Sequence, residues 1–142
     1  MDADGRDGDG LLRKLVNLYN LQKFADDIVV SATASGAPFV VSEELIKSLH
    51  RVAMLRLLPD AGQYRKGQVT IKGANHVPPN FIEVPAHMLG LCDYLNSQWN
   101  QRDLVHLAAF SMWRLNWIHP FSNGNGRTTR ALSYLVLCAK YG

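Results

Sequence analysis

The residues best suited to chemistry lie in one segment near the C-terminus, residues 119–130, which reads His-Pro-Phe-Ser-Asn-Gly-Asn-Gly-Arg-Thr-Thr-Arg. The segment combines an imidazole, two carboxamides, two glycines and two guanidinium groups. The apolar residues 131–139 that follow predict a buried helix that begins close to Gly124. The segment therefore leads from a loop into a helix N-terminus, where unpaired backbone N–H groups and the helix dipole favour an anion.

Two cations occupy the first turns of this predicted helix. Arg127 and Arg130 are three residues apart and so share one face. At a helix N-terminus each cation costs about 0.3–1 kcal/mol unless an anion lies beside it. Gly124 and Gly126 lack the Cβ atom that would keep a phosphate away from the backbone. We therefore predict that both arginines and the N–H groups around Gly124, Asn125 and Gly126 bind phosphate, in preference to a plain polar turn.

His119 precedes this phosphate cradle, where a base would be needed. An ordinary imidazole pKa of about 6.5 suits a general base at neutral pH. Other phosphate loops fit less well, because a Walker loop requires Lys where Arg127 stands and a dinucleotide fingerprint requires Gly where Thr129 stands. The apolar spacing over residues 103–118 also predicts a helix before the loop instead of a strand.

Residues 119–130 resemble the signature of the Fic (filamentation induced by cAMP) domain family, His-Pro-Phe-x-Asp/Glu-Gly-Asn-Gly-Arg-x-x-Arg. Every specified position agrees except one. Residues 62–65, 69–73, 77–79 and 84–85 also look like the family's hairpin flap and the start of its next helix. The resemblance thus covers roughly residues 60–140.

This resemblance implies transfer of AMP from ATP onto a Ser, Thr or Tyr hydroxyl of a target protein. His119 would be the general base, and the loop amides would form an anion hole. Arg127 would hold the leaving pyrophosphate, and Arg130 would reach the terminal phosphate. The sequence leaves open UMP or GMP as the donated group. Two alternatives also stay open, a nucleotide-binding member with impaired catalysis and a non-enzymatic helical protein-interaction module.

The one departure from the signature is Asn123, which replaces an acidic residue. In the family that carboxylate binds the Mg²⁺ that bridges the nucleotide phosphates. A carboxamide oxygen is neutral, whereas Mg²⁺ prefers charged oxygens and commonly keeps waters and phosphate ligands. We therefore expect Mg²⁺ or Mn²⁺ to bind more weakly than in other members, held mainly by the nucleotide.

A short β-hairpin flap is predicted around residues 68–82. A strand pattern and a following turn indicate it. By resemblance, the flap lies beside the active site and pairs with an extended target segment through Val69, Thr70, Ile71, Lys72 and Gly73. The alternative is a surface loop over the core. The remaining histidines are predicted to be structural or surface residues: His50, His76, His87 and His106.

The remaining sequence predicts a mainly α fold with that one short hairpin, and the resemblance implies that it is a Fic-type helical bundle. Residues 1–10 read as a flexible acidic tail and residues 11–142 as one domain, whose abrupt end leaves open that it is truncated. Ser42 is a predicted N-cap, and Pro85 is predicted to begin a helix. Cys92 and Cys138 lie in apolar helical patterns and are expected to be reduced thiols.

Charge and hydropathy bound the partners and the location. The net charge of +3 is mild and scattered, which argues against a nucleic-acid partner. No apolar run reaches the ~18 residues of a membrane span, so we expect no membrane partner and a cytoplasmic protein. In the family an inhibitory helix carries Ser or Thr four residues before Glu. No Ser or Thr here has that spacing, so this kind of restraint would need a separate antitoxin-like chain or residues beyond Gly142.

Overall fold

The computed structural model describes residues 6–142 and folds them into five α-helices and one short 3-10 helix. The α-helices are α1 Arg6–Ser35, α2 Glu43–Met54, α3 Val84–Ser97, α4 Leu104–Ile118 and α5 Asn125–Tyr141. The 3-10 turn, Phe81–Glu83, leads directly into α3. The predicted mainly α fold is therefore confirmed.

Helix starts in the described chain follow local capping chemistry. The Ser42 hydroxyl accepts a hydrogen bond from the Leu45 N–H at 3.0 Å, which confirms the predicted N-cap of α2. The Asp103 carboxylate accepts from the His106 N–H at 2.8 Å and starts α4. Pro85 lies in the first turn of α3, where its missing N–H costs nothing.

The core lies between α4 and α5, with α2 and α3 packed against them and α1 laid across α2 and α5. Residues 115, 118, 132 and 135 on the two central helices are fully buried leucines and an isoleucine. The loop that joins α4 to α5 therefore stands on rigid supports at both ends, which is what a precise site requires. Across residues 6–142, no helix combines the length with the apolar character that a membrane span needs.

The predicted N-terminal tail overlaps α1, because the helix begins at Arg6 instead of near Leu11. Residues 6–10 are therefore helical, and residues 1–5 lie outside the described chain. Asp9 lies near the start of α1, where a carboxylate interacts favourably with the helix dipole. The two glycines at positions 8 and 10 weaken the sequence signal for this helix end.

The predicted β-hairpin is not present as strands, because residues 66–80 form an irregular loop. The predicted turn does occur: the Ala74 N–H donates to the Ile71 carbonyl at 3.1 Å, and Gly73 has a φ of 79°. Pro78 and Pro79 have no N–H to offer a strand ladder. Side-chain bonds hold the loop instead, since the His76 ring bonds the Trp117 carbonyl at 2.8 Å and the Arg65 side chain donates to the Pro79 carbonyl.

One buried side chain fixes α1 on the bundle. Asn17 is 1% exposed, and its Nδ2 donates to the carbonyls of Ala53 at 3.1 Å and Leu55 at 2.8 Å. These carbonyls lie at the C-terminal end of α2, where the helix itself supplies no donor. Asn17 therefore caps α2 and sets the position of α1 along it.

We expect Asn17→Ala to lower the free energy of unfolding by about 1–3 kcal/mol, because two buried carbonyls lose their donor. The matched control is Asn20→Ala on the same helix, where the side chain is exposed. Both changes alter helix propensity equally, so the difference between them isolates the capping bonds. Urea unfolding measures it, and equal midpoints for the two variants would contradict the capping role.

Candidate active site

The loop between α4 and α5 is bounded by two left-handed residues. His119 ends α4 with φ 51° and ψ 59°, and its N–H donates to the Leu115 carbonyl at 2.9 Å. Gly124 has a φ of 78° and immediately precedes α5. A left-handed non-glycine residue costs roughly 1–2 kcal/mol, so the surrounding contacts must hold His119 in place.

The turn is closed by a pair of buried hydrogen bonds between Asn125 and Phe121. The Phe121 N–H donates to the Asn125 Oδ1 at 2.9 Å, and the Asn125 Nδ2 donates to the Phe121 carbonyl at 2.8 Å. The Phe121 ring is fully buried and so anchors the loop in the core. Asn125 thus has a structural role in its side chain, while its backbone N–H stays at the helix start.

His50 holds the middle of the loop from α2. The Gly62 N–H donates to Nδ1 of His50 at 2.8 Å, so the proton lies on Nε2, which donates to the Asn123 carbonyl at 2.8 Å. Burial lowers the pKa of His50, in keeping with this neutral form. The ring also stacks on Phe121 with centroids 3.8 Å apart. The expected structural role of His50 is therefore specific, since it positions the loop.

Arg65 holds the start of the loop. This guanidinium is 3% exposed and donates to carbonyl oxygens alone among the described residues. Nε bonds His119 O at 2.7 Å, Nη2 bonds Ile118 O at 3.3 Å, and Nη1 bonds Gly67 O at 3.0 Å. Its own N–H donates to the Pro120 carbonyl at 2.8 Å. The cation thus meets the negative end of the α4 dipole and ties residues 66–80 to His119.

The first amides of α5 are available to a ligand. Within the described chain, the N–H groups of Asn125, Gly126 and Arg127 have no protein acceptor, since the first helical bond runs from Thr128 N to Gly124 O. The Gly124 N–H is different, because it donates to the Asn123 Oδ1 at 2.8 Å. Two of the three amides predicted to bind phosphate are therefore open, and the third is engaged by a neighbouring carboxamide.

An open cleft of about 650 Å³ lies over these amides. It is lined by Lys14, Met54, Leu57, Thr70, His119, Ser122, Asn123, Gly124, Asn125, Gly126, Arg127 and Arg130. The structure therefore brings the predicted base, the predicted loop amides and both predicted arginines to one cavity. Three of the lining side chains are cations and none is a carboxylate, so the cleft attracts anions.

Both arginines are placed by close contacts. The Arg127 guanidinium is half-buried, and its Nη1 lies 3.6 Å from the Met54 sulfur. The Arg130 Nη1 would lie only 3.1 Å from a Cβ at position 126, so Gly126 gives this guanidinium its space. The glycine is helical with an ordinary φ, and the group that approaches it is the end of the flexible, exposed Arg130 side chain.

The surroundings of His119 favour the neutral form of its imidazole. Its Nδ1 is buried without a partner of normal hydrogen-bond geometry, which leaves Nε2 for the cleft. Burial is the main cause that lowers the pKa of His119, and the positive charge of Arg65 acts in the same direction. The backbone of Asn116 opposes the shift only in part. A neutral ring can accept a proton, as a general base must.

The residues present do not form a protein-held magnesium site. The cleft lining contains no carboxylate, and the Asn123 Oδ1 already accepts from the Gly124 N–H. The Asp60 carboxylate accepts a hydrogen bond from the Ser122 hydroxyl of the loop at 3.2 Å, but Asp60 does not line the cleft. Nowhere in residues 6–142 do three or more His, Cys, Asp or Glu side chains gather as metal ligands.

The loop at 66–80 separates two surface cavities. Thr70 lines the cleft, whereas Ile71 lines an apolar groove of about 420 Å³ with His76, Trp113, Asn116 and Trp117. Val69 is half-buried, and Lys72 and Gly73 are exposed. Apart from His119, no histidine lines the cleft. His87 packs edge-on against Trp117, and His106 bonds the Tyr94 hydroxyl at 2.7 Å.

Sequence reasoning missed several residues that build this site. Lys14, Met54 and Leu57 line the cleft from other helices or loops, and Arg65 and His50 hold its floor. Their sequence positions lie 54 or more residues from the loop, so no local pattern connects them to it. The only available signal was the position of Arg65 within the upstream segment that resembles the family.

The model of the Fic/DOC family matches residues 40–137, which is more than half of the chain. The chain belongs to the Fic/DOC family. The matched region contains the whole of residues 119–130, so the resemblance inferred from the signature is confirmed. Helix α1 lies before the Fic/DOC match.

Curated relatives carry the name protein adenylyltransferase Fic. The protein of Drosophila willistoni is 37% identical over 94 residues, which are 65% of this chain and 18% of that protein. The protein of Nematostella vectensis is 30% identical over 128 residues, which are 87% of this chain and 28% of that protein. The chain therefore spans less than a third of the length of these relatives.

Solved structures share the fold. A Fic domain containing signalling protein from Bacteroides thetaiotaomicron superposes with a TM-score of 0.72 and 27% identity, over all of this chain and 52% of that one. Fic-1 from C. elegans, residues 134–508, gives a TM-score of 0.73 at 24% identity, over 87% of this chain and 35% of that one. The second likeness supports the fold alone.

We expect Gly124→Ala to destabilise the Fic fold by about 2–3 kcal/mol, because alanine resists the left-handed backbone and its Cβ overlaps a packed side chain. That Cβ would lie 2.6 Å from both Cγ and Sδ of the buried Met54. Gly73→Ala is the matched control, with a φ of 79° and nothing within 4 Å of the added atom. Thermal or urea unfolding compares them, and equal losses would mean that Met54 moves aside without cost.

Proposed function

We propose that the chain transfers AMP from ATP to a Ser, Thr or Tyr hydroxyl of a target protein. The observation that carries the proposal is the shared cleft, in which His119, the open amides of α5, Arg127 and Arg130 surround one space. The relatives named protein adenylyltransferase Fic support the same reaction class. Because the chain spans a small part of those relatives, the activity and its substrates are proposals for this chain.

The reaction needs one base and one anion site. The target hydroxyl oxygen attacks the α-phosphorus of ATP while its proton moves to Nε2 of His119. The bond from the α-phosphorus to the bridging oxygen breaks, and pyrophosphate leaves with its electron pair. The amides of Asn125 and Gly126 donate to phosphate oxygens, and the two guanidiniums hold the leaving group. A divalent cation such as Mg²⁺ or Mn²⁺ would be held by the phosphates, since the chain offers it no charged ligand.

The segment Val69–Gly73 is proposed to dock the target. Its position between the cleft and the apolar groove supports this, because Thr70 and Ile71 face different cavities. An extended target segment that bonds to this backbone would bring a hydroxyl towards His119. A cytoplasmic location, a separate inhibitory chain and the lack of nucleic-acid or membrane partners stay predictions.

The transfer is tested by incubating the protein with α-³²P-labelled ATP, Mg²⁺ and a cell lysate. We expect labelled protein bands. We expect His119→Ala to lower the rate of labelling by a factor of about 10²–10⁴, because no base remains. Asn123→Asp should strengthen the labelling, since it supplies the charged oxygen that the metal prefers. Labelled UTP and GTP in parallel reactions identify the donated nucleotide.

His106→Ala is the control, because this histidine lies outside the cleft. Labelling by His119→Ala equal to that of the parent would show that His119 is not the base. ATP binding without any labelling would instead select a nucleotide-binding protein without catalysis. An absence of nucleotide binding would select a helical interaction module.

The pH dependence of kcat/KM reports the protonation of His119. Burial and the nearby Arg65 lower its pKa from 6.5, so the neutral base persists to a lower pH. Activity should be constant near neutral pH and fall only as the pH drops below 6.5 into the lowered range. An acid limb centred at or above 6.5 would contradict this assignment. The residual rate of His119→Ala should show no such limb.

A further inference from the structure

Helix α1 contributes a cation to the cleft that the signature does not contain. Lys14 lines the same cavity as Arg127 and Arg130. It lies in α1, Arg6–Ser35, whereas the family match begins at residue 40. Neither the signature nor the matched region therefore accounts for Lys14.

The placement of Lys14 follows from Asn17. The Asn17 side chain is bonded to the carbonyls of Ala53 and Leu55 at the end of α2, so this face of α1 is fixed against that helix. Lys14 is three residues earlier and lies on the same face, one turn towards the N-terminus. Met54, which contacts the Arg127 guanidinium, lies between those two carbonyls in sequence and also lines the cleft. Lys14 therefore reaches the cleft from a rigid support.

The charge of the cleft explains what Lys14 could bind. Its lining contains three cations and no carboxylate, and the position of the signature acid is occupied by the neutral Asn123. The carboxamide oxygen of Asn123 is already bonded to the Gly124 N–H. A nucleoside triphosphate carries about four negative charges at neutral pH, since phosphate groups ionise below pH 7. The cationic side chains alone can offset most of this charge.

We propose that Lys14 binds the phosphate chain of the nucleotide and, with Arg127 and Arg130, offsets most of its negative charge, so that the nucleotide binds without a divalent metal. The proposal rests on the proposed function for the identity of the ligand as a nucleoside triphosphate. It adds a phosphate-binding residue that lies outside the signature. It also assigns the balancing of the phosphate charge to these cationic side chains, because position 123 offers no carboxylate to hold a metal ion.

The experiment is calorimetric titration of ATP, and of inorganic tripolyphosphate, into the whole protein with EDTA and again with Mg²⁺. We expect the dissociation constant for ATP to differ by less than about threefold between the two conditions. In EDTA, Lys14→Ala should raise the dissociation constants for ATP and tripolyphosphate by about fivefold to tenfold. Lys14→Arg should keep most of the parent's affinity. Added salt should reduce the difference between Lys14→Ala and the parent.

Lys23→Ala is the matched control, because Lys23 is an exposed lysine of the same helix that does not line the cleft. It should bind as the parent does. Far-ultraviolet circular dichroism and the urea midpoint check that Lys14→Ala keeps its fold, and Lys14→Met serves as a second variant that removes the charge but keeps an unbranched side chain of similar length.

Either of two results overturns the inference: ATP binding by the parent that requires Mg²⁺, or Lys14 variants that bind ATP and tripolyphosphate as tightly as the parent in EDTA. These failures are distinguishable from a failure of the proposed function. Metal-independent binding that depends on Lys14, without any transfer of label to protein, would retain the anion site and reject the transferase. Labelling that depends on His119 but not on Lys14 would retain the transferase and reject the phosphate-binding role of Lys14.

Discussion

The carboxamide of Asn125 bonded to the backbone of Phe121 is the interaction on which the site depends. With both of its polar ends paired to one residue, it closes the turn between α4 and α5. The pairing satisfies the Phe121 peptide group inside the protein, where an unpaired group would be costly. The Asn125 side chain thereby pairs the Phe121 carbonyl, and the backbone N–H of Asn125 has no acceptor among the described residues. The first N–H groups of α5 thus stay unpaired within residues 6–142 while the buried peptide group of Phe121 is fully hydrogen-bonded.

The supports around this turn are polar but avoid acidic partners. Arg65 donates to carbonyls of the loop and of the end of α4, and His50 bridges two backbone groups as a neutral ring. Neither support brings a carboxylate into the cleft. The electrostatic potential over the α5 amides therefore stays positive. Burial, and after it the charge of Arg65, lower the pKa of His119 and favour its neutral form.

Local patterns predicted the parts of the structure that local chemistry decides. The apolar spacing on either side of residues 119–130, the Ser42 cap and the proline at the start of α3 were all legible in the sequence. The convergence of His119, Arg127 and Arg130 on one cavity also followed from their spacing around a helix start. Whether each of them acts as assigned stays a prediction.

The hairpin was wrongly predicted and Lys14 was missed because both depend on contacts between residues that are distant in sequence. Val69, Thr70 and Ile71 favour a strand, yet the Arg65 guanidinium donates to the Pro79 carbonyl of this loop, the His76 ring bonds the Trp117 carbonyl of α4, and two prolines lack an N–H. Lys14 carries no local sign of its position at the cleft, because contacts of α1 with distant residues, such as the Asn17 cap on α2, place that face of the helix. The spacing of apolar residues along a helix does not predict contacts between side chains of different helices.

The Arg65 guanidinium has two attachments, one to the carbonyls at the end of α4 and one to the loop of residues 66–80. A single planar group cannot shift towards one set of partners without straining the other. If a polypeptide docks on residues 66–80 as proposed, a displacement of that loop would be transmitted through this side chain to the backbone of His119. Arrival of the acceptor and alignment of the proposed base would then be mechanically coupled.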